Sequence, residues 1–163
     1  MDLVMYYGTK SILWLPLFLL FFYFTIRQFK WKALIILCLA AVMILVSDQL
    51  ANLFKEFFQR LRPSHEQGLQ VHLVNAYKGG IYGFYSSHAS NSFSVAVFLT
   101  LLLGKRFRWI VPLLFSWALF FTYTRLYLGV HFPGDLLMGM LMGSLLGYGF
   151  GKLFLTIQRR SSS

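Results

Sequence analysis

Carboxylates are scarce in this chain. Asp2, Asp48, Glu56, Glu66 and Asp135 are its five acids in 163 residues, against 15 Lys and Arg, and the formal net charge is +10 at pH 7. Acids so few and so scattered argue against a two-metal site, because hard divalent ions need clustered oxygen ligands. Cysteine is nearly missing as well. Cys38 stands alone within an apolar run, which excludes an intramolecular disulfide. Charged residues of both signs make up only 12% of the chain, 58% is hydrophobic and the mean hydropathy is +0.64. Those values lie outside the range of soluble globular domains. The cations form short clusters between apolar runs, a pattern of topology signals and lipid headgroup contacts rather than of nucleic-acid binding.

What is present is a series of apolar runs at residues 11–26, 33–54, 89–104, 109–128 and 136–157. A bilayer crossing takes about 17–25 residues, so these runs, two of them with flanking residues, predict five transmembrane helices. The expected fold is all-α: a single membrane-embedded helical bundle over residues 1–163, with a short polar tail at 161–163. Pro16 and Pro112 fall near helix starts, where a missing N–H is tolerated. The first run lacks a small-x-small cleavage pattern and is followed by Arg27 and Lys30, so it reads as a retained helix.

Five spans assign the sides. Arg27, Lys30, Lys32, Lys105, Arg106, Arg108, Lys152, Arg159 and Arg160 gather on one side without acids. The positive-inside rule makes that side cytoplasmic, with the N-terminus out and the C-terminus in. The segments 55–88 and 129–134 then share the extracytoplasmic face. Gly139, Gly143, Gly147 and Gly151 recur every four residues and form one strip on the last helix, with Asp135 at its head. A strip of that kind lets a second backbone approach closely and is expected to face the bundle interior.

Three groups of polar residues border these runs. Lys55 and Arg62 are two helical turns apart, hence on one face if the second helix continues to Pro63, which would end it. Snorkelling interfacial cations would explain either residue singly. Arg125, however, comes late in a span, where charge is expensive, and arginine suits forked binding of phosphate oxygens. Ser86-Ser87-His88 precedes the third span, and a helix N-terminus there offers a cap and an anion site. Capping accounts for the serines but not for His88, which could act as a general acid. His131 and Asp135 lie four residues apart beyond a turn with Gly129, Pro133 and Gly134. A carboxylate that orients a histidine leaves its other nitrogen aimed for attack on phosphorus. Asp135 as a helix N-cap, beside a loop histidine, is the competing explanation. Asp48 lies inside the second span and calls for a polar partner in the bundle. His65 and His72 lack a metal-ligand spacing and read as loop residues or headgroup contacts.

Together the motifs Lys55-x6-Arg62-Pro63, Tyr85-Ser86-Ser87-His88 and Thr124-Arg125-x5-His131-x3-Asp135 resemble the three-part signature of the type 2 phosphatidic acid phosphatases, membrane relatives of the vanadium haloperoxidases. Tyr85, Ser87 and Thr124 depart from the family's proline, glycine and serine. The chain also reads as one N-terminal span short of the family's six-helix core. The resemblance implies a lipid phosphatase that needs no metal or other cofactor. Lys55, Arg62, Arg125, Ser86 and backbone N–H groups near Ser87 would bind the phosphoryl group. His131 would form a phosphohistidine, Asp135 would orient it, and His88 would protonate the leaving oxygen. The expected partners are a lipid phosphate and the bilayer of a bacterial inner membrane, with no nucleic acid and no protein partner. Undecaprenyl diphosphate comes first as substrate, then phosphatidylglycerol phosphate, phosphatidic acid and lipid A phosphates. A lipid phosphotransferase, or a non-catalytic lipid-binding or transport protein, would be the other reading; the latter would be marked by a missing nucleophile or clamp, and none is missing.

Overall fold

The computed structural model describes residues 1–160; the polar tail at 161–163 lies outside the described residues. A short helix α1 (Asp2–Gly8) and a 3-10 turn (Ser11–Trp14) lead into α2 (Leu15–Phe29). A second 3-10 turn (Lys30–Lys32) connects it to α3 (Ala33–Phe58), and α4 (Ser87–Leu103), α5 (Ile110–Tyr127) and α6 (Pro133–Arg160) follow. Among the described residues the only β pairing is an isolated bridge between Leu61 and Tyr82.

The stretch Ser11–Phe58 is apolar and helical over 48 residues. At 1.5 Å per residue it would measure about 70 Å, more than twice the hydrocarbon thickness of a bilayer. The chain divides it at Lys30, whose φ of 52° and ψ of −127° no helix can accommodate, into two passes. Ile110–Tyr127 and Pro133–Arg160 are also long and apolar enough to cross, and α4 is a shorter apolar helix of 17 residues. These are the five helices expected from the apolar runs.

Helix α6 turns large apolar side chains outward and small residues inward. On α6, Leu137, Leu141 and Leu145 are more than half exposed, while Gly139, Gly143, Gly147 and Gly151 are buried. The glycine strip lies against α4. A methyl group at Gly139 would meet the Ser86 carbonyl oxygen and Ala89, one at Gly143 the backbone of Ser90, and one at Gly147 the Ser94 carbonyl oxygen. Small residues on both helices let the backbones pack at this distance, which replaces the hydrophobic effect as the source of attraction in lipid. Phe21, Ile36, Met43, Phe98, Leu103, Leu114 and Phe154 fill the space among α2 to α6.

Polar contacts join α3 to α4 within the apolar bundle. The Ser47 and Ser90 hydroxyls are 2.7 Å apart, and Asn91 Nδ2 donates to Asp48 Oδ1 at 2.9 Å. Asp48 thus has the intramembrane partner its position called for.

The end of α3 corrects one expectation. The helix stops at Phe58, not at Pro63, because Gln59 turns left-handed (φ 46°, ψ 28°) and donates its N–H to the Lys55 carbonyl. Arg62 is therefore not in helical phase with Lys55. It is extended (φ −75°, ψ 155°), as a residue before proline prefers, and its N–H bonds to the Ile81 carbonyl at 3.1 Å. Chain reversal in the loop at 59–86, rather than helix periodicity, brings Arg62 back toward Lys55.

Replacing Gly143 with alanine should separate α4 from α6 and lower stability by about 1–3 kcal/mol, the usual range for overpacking. Gly149→Ala, on the same helix with no atom within 4 Å of the added methyl, should be neutral or stabilising. Thermal unfolding of the two variants in detergent measures the difference.

Candidate active site

The helix starts of α4 and α6 and the loop at 59–86 meet at one end of the bundle. The Ser86 N–H donates to the Asp135 carbonyl at 3.1 Å and so ties the two helix starts together. Ser86 is the N-cap of α4, its hydroxyl accepting the Ala89 N–H at 3.4 Å. The free N–H groups of that first turn and the helix dipole make this a place for an anion. Ser87 sits one residue on, and its hydroxyl accepts from Lys55 Nζ at 3.3 Å.

Three cations converge there without a carboxylate partner among the described residues. Lys55 is held by the Ser87 hydroxyl, and Arg62 Nε donates to the Tyr82 carbonyl at 3.0 Å. Arg125 is 2% exposed; it donates to the Thr9 hydroxyl at 2.5 Å and to the Tyr77 hydroxyl at 3.2 Å. All these hydrogen-bond partners are neutral oxygens, and the positive charges repel one another. Lys55, Arg62 and Arg125 are near enough to interact electrostatically, and His88 senses all three together with His131. Burial, then the charge of Arg125, disfavours the charged form of Arg62. An arrangement of this kind is relieved by a bound anion.

Loop backbone is shaped around these groups. Gly79 has φ +67°, and a side chain there would overlap the Arg62 guanidinium. Gly129 (φ +64°) turns the chain from α5 toward His131, where a side chain would collide with Val71.

His131 is 2% exposed and Asp135 fully buried. Their Nδ1 and Oδ2 atoms are 3.7 Å apart, an ion-pair distance rather than a hydrogen bond. Asp135 is occupied on both oxygens: Oδ2 accepts the Phe132 N–H at 3.0 Å and Oδ1 accepts from Arg60 at 3.1 Å. It does not cap α6 from the first position but reaches back from inside the first turn, as the acid of a capping box does. Burial lowers the His131 pKa from 6.5 to about 4, although the Asp135 carboxylate pulls in the other direction. The ring is therefore neutral at physiological pH. His88 stacks on Phe121, with ring centroids 5.6 Å apart and planes at 26°.

Lys55, Arg62, Ser86, Ser87, His88, Arg125, His131 and Asp135, picked from sequence spacing, thus lie at one end of the molecule. His65 and His72 do not join them; His65 contacts Ser64, and His72 contacts Asp2 on α1. Among the described residues no three His, Cys, Asp or Glu side chains gather to hold a metal.

The family model of the PAP2 superfamily matches residues 34–159. The chain belongs to the PAP2 superfamily. A lipid A 4'-phosphatase of Bacteroides thetaiotaomicron is 39% identical over 154 residues, which cover 91% of this chain and 68% of that protein. A lipid A 4'-phosphatase of Porphyromonas gingivalis is 36% identical over 145 residues, 86% of this chain and 60% of that one. The chain therefore spans about two thirds of the length of these curated relatives. Among solved structures, a transmembrane PAP2-type phosphatidylglycerolphosphate phosphatase of Bacillus subtilis superposes with a TM-score of 0.70 at 24% identity, covering 96% of this chain and 77% of the other. Aquifex aeolicus LpxE gives 0.59 at 23% identity, over 85% and 87%. At these identities the two structures support the PAP2 fold alone. The chain is a PAP2 membrane lipid phosphatase, a hydrolase of phosphate esters.

Sequence reasoning missed Arg60, Thr9 and Tyr77. Arg60 lies two residues from Arg62, and the alternation of an extended segment could have drawn attention to it; its guanidinium also covers the Phe132 ring at 4.5 Å. Nothing in the sequence signals that Thr9, 116 residues away, meets Arg125.

Histidine-labelled protein followed by NMR in detergent should show His131 titrating near 4. The unfolded chain takes up that proton near 6.5, so acidification below 6.5 should destabilise the fold progressively. Arg60→Ala should raise the His131 midpoint, because Asp135 then acts on the ring without a compensating cation. An unchanged midpoint would show that Arg60 does not influence His131.

Proposed function

We propose that the site hydrolyses a lipid phosphate through a phosphohistidine formed at His131, without a metal. The observation that carries this is a neutral, buried histidine beside three cations that have only neutral hydrogen-bond partners. Nδ1 of His131 faces Asp135, so the opposite nitrogen, Nε2, is the one to attack phosphorus. Lys55, Arg62 and Arg125 hold the phosphoryl oxygens, with N–H groups near Ser87; the Ser86 hydroxyl, an acceptor in the helix cap, keeps a proton to donate to them. As the N–P bond forms, the P–O ester bond breaks, and its electron pair goes to the leaving oxygen, which takes a proton from His88. Water then gives a proton to His88 as its oxygen attacks phosphorus; the N–P bond breaks, its electron pair returns to His131, and phosphate departs with both histidines restored. Asp135 steadies the His131 ring and the positive charge that develops on it.

The sequence placed undecaprenyl diphosphate first as substrate. The names of both curated relatives favour another member of that group, a lipid A phosphate, in which the phosphate is borne on an acylated sugar. The cations of the turns at 30–32 and 105–108 lie at the helix ends away from the site. The positive-inside rule then supports an inner-membrane protein with its site on the extracytoplasmic face, N-terminus out and C-terminus in.

His131→Ala should reduce phosphate release from a phosphorylated lipid A by at least about 10³-fold, as loss of a nucleophile does. Chelator should leave the wild-type rate unchanged. Rapid acid-free quenching with labelled substrate should trap a base-stable, acid-labile phosphoprotein that is missing in His131→Ala. Full turnover by that variant would rule out the mechanism.

A further inference from the structure

A cavity of about 330 Å³ opens beneath the phosphate site, among α2, α3, α4 and α5. Ser87 and His88 line its upper end; Asp48, Asn91, Trp117 and Phe121 line it as well. Its size is that of a small-molecule site, and its walls are mostly apolar with a few polar groups. We propose that Asp48 and Asn91 form a subsite for the leaving group, and that it selects lipids whose phosphate is carried on a hydroxyl- or amide-bearing head, a sugar or polyol, over lipids whose phosphate is attached to plain hydrocarbon. The proposal rests on the lipid phosphatase reading above.

Three observations lead there. A carboxylate inside a membrane-spanning helix is costly, and such residues usually face a functional cavity. Asp48 does line one, and it uses Oδ1 to accept from Asn91 Nδ2 at 2.9 Å. That bond sets the Asn91 amide so that its oxygen is the acceptor left over. The Asn91 Oδ1 is buried without a hydrogen-bond partner, and so is Trp117 Nε1, a donor. An acceptor and a donor without partners, on two residues of one cavity, suit a hydroxyl, which can serve both.

The order along the helices gives the orientation. Asn91 follows Ser87 by four residues and His88 by three, so it lies one turn, about 5.4 Å, deeper on the same face of α4. Asp48 precedes Lys55 by seven residues, two turns deeper on the same face of α3. A substrate with its phosphate at Lys55 and Ser87 and its ester oxygen at His88 places its next few atoms beside Asp48 and Asn91. In a sugar or glycerol those atoms carry hydroxyl or amide groups. In an isoprenyl or alkyl phosphate they are hydrocarbon and leave the polar groups unpaired, the situation in which an enzyme rejects the analogue most strongly.

The alternative is that Asp48 and Asn91 only join α3 to α4, and substrate selectivity separates the two roles. Asn91→Leu should be assayed in detergent micelles against a lipid A phosphate and phosphatidylglycerol phosphate, both with hydroxylated leaving groups, and against hexadecyl phosphate. We expect kcat/KM to fall at least about tenfold for the hydroxylated lipids and to stay within about twofold for hexadecyl phosphate. Asp48→Asn keeps an interhelical hydrogen bond and should shift the ratio in the same direction, so it decides the matter if Asn91→Leu does not fold. Equal losses on all three lipids, or none, would overturn the subsite. If the wild-type protein ignores lipid A phosphate but hydrolyses phosphatidylglycerol phosphate, the substrate assignment fails, and the ratio for the remaining pair still judges the subsite. Hydrolysis of hexadecyl phosphate alone, or of no lipid at all, would overturn it.

Discussion

The backbones of α4 and α6 run together through facing small residues, Gly139, Gly143 and Gly147 on one helix and Ser86, Ala89, Ser90 and Ser94 on the other. Lipid offers no hydrophobic force to drive helices together, so close van der Waals packing has to supply the attraction. The same contact sets the site. The Ser86–Asp135 backbone bond fixes the two helix starts side by side, and His88 and His131 lie within four residues of it along the chain. Two positive helix ends then point toward one place. A side chain on the glycine strip would alter the distance between the histidines before it touched either of them.

Charge is distributed at that end with a consistent bias. Asp135, the one acid of the site, is taken up by Arg60 and by the Phe132 N–H. The remaining cations, Lys55, Arg62 and Arg125, hold only hydroxyl and carbonyl oxygens. Neutral partners orient a guanidinium without cancelling its charge, which is the condition for strong binding of a dianionic phosphoryl group. Burial keeps His131 uncharged beside these cations, and an imidazole must be uncharged to be a nucleophile. Thr9 and the α1 segment complete the enclosure of Arg125, so the first ten residues belong to the site's architecture even though they carry none of the motifs.

Much of this was legible in the chain itself. The apolar runs marked the helices to within a few residues, because span length is a property of consecutive residues. The four-residue glycine recurrence told which side of α6 faces inward, and the i, i+4 relation of His131 to Asp135 told that they could meet. Asp48 announced a partner because a lone charge is costly in lipid. The approach of Arg62 to Lys55 was read from helical periodicity and was reached by another route: Gln59 turned left-handed, and the loop at 59–86 folded back over the helix ends.

The sequence determined on its own the membrane class, the placing of the five long helices, the inward strip and the identity of the motif residues, since each follows from local spacing and transfer energetics. Only the tertiary structure decided which neutral oxygens hold the cations, that Arg60 rather than His131 bonds Asp135, and that Asp48 and Asn91 border a cavity under His88. Those contacts join residues 20 to 116 positions apart, and their distances depend on how helices pack and loops close, which no local pattern encodes.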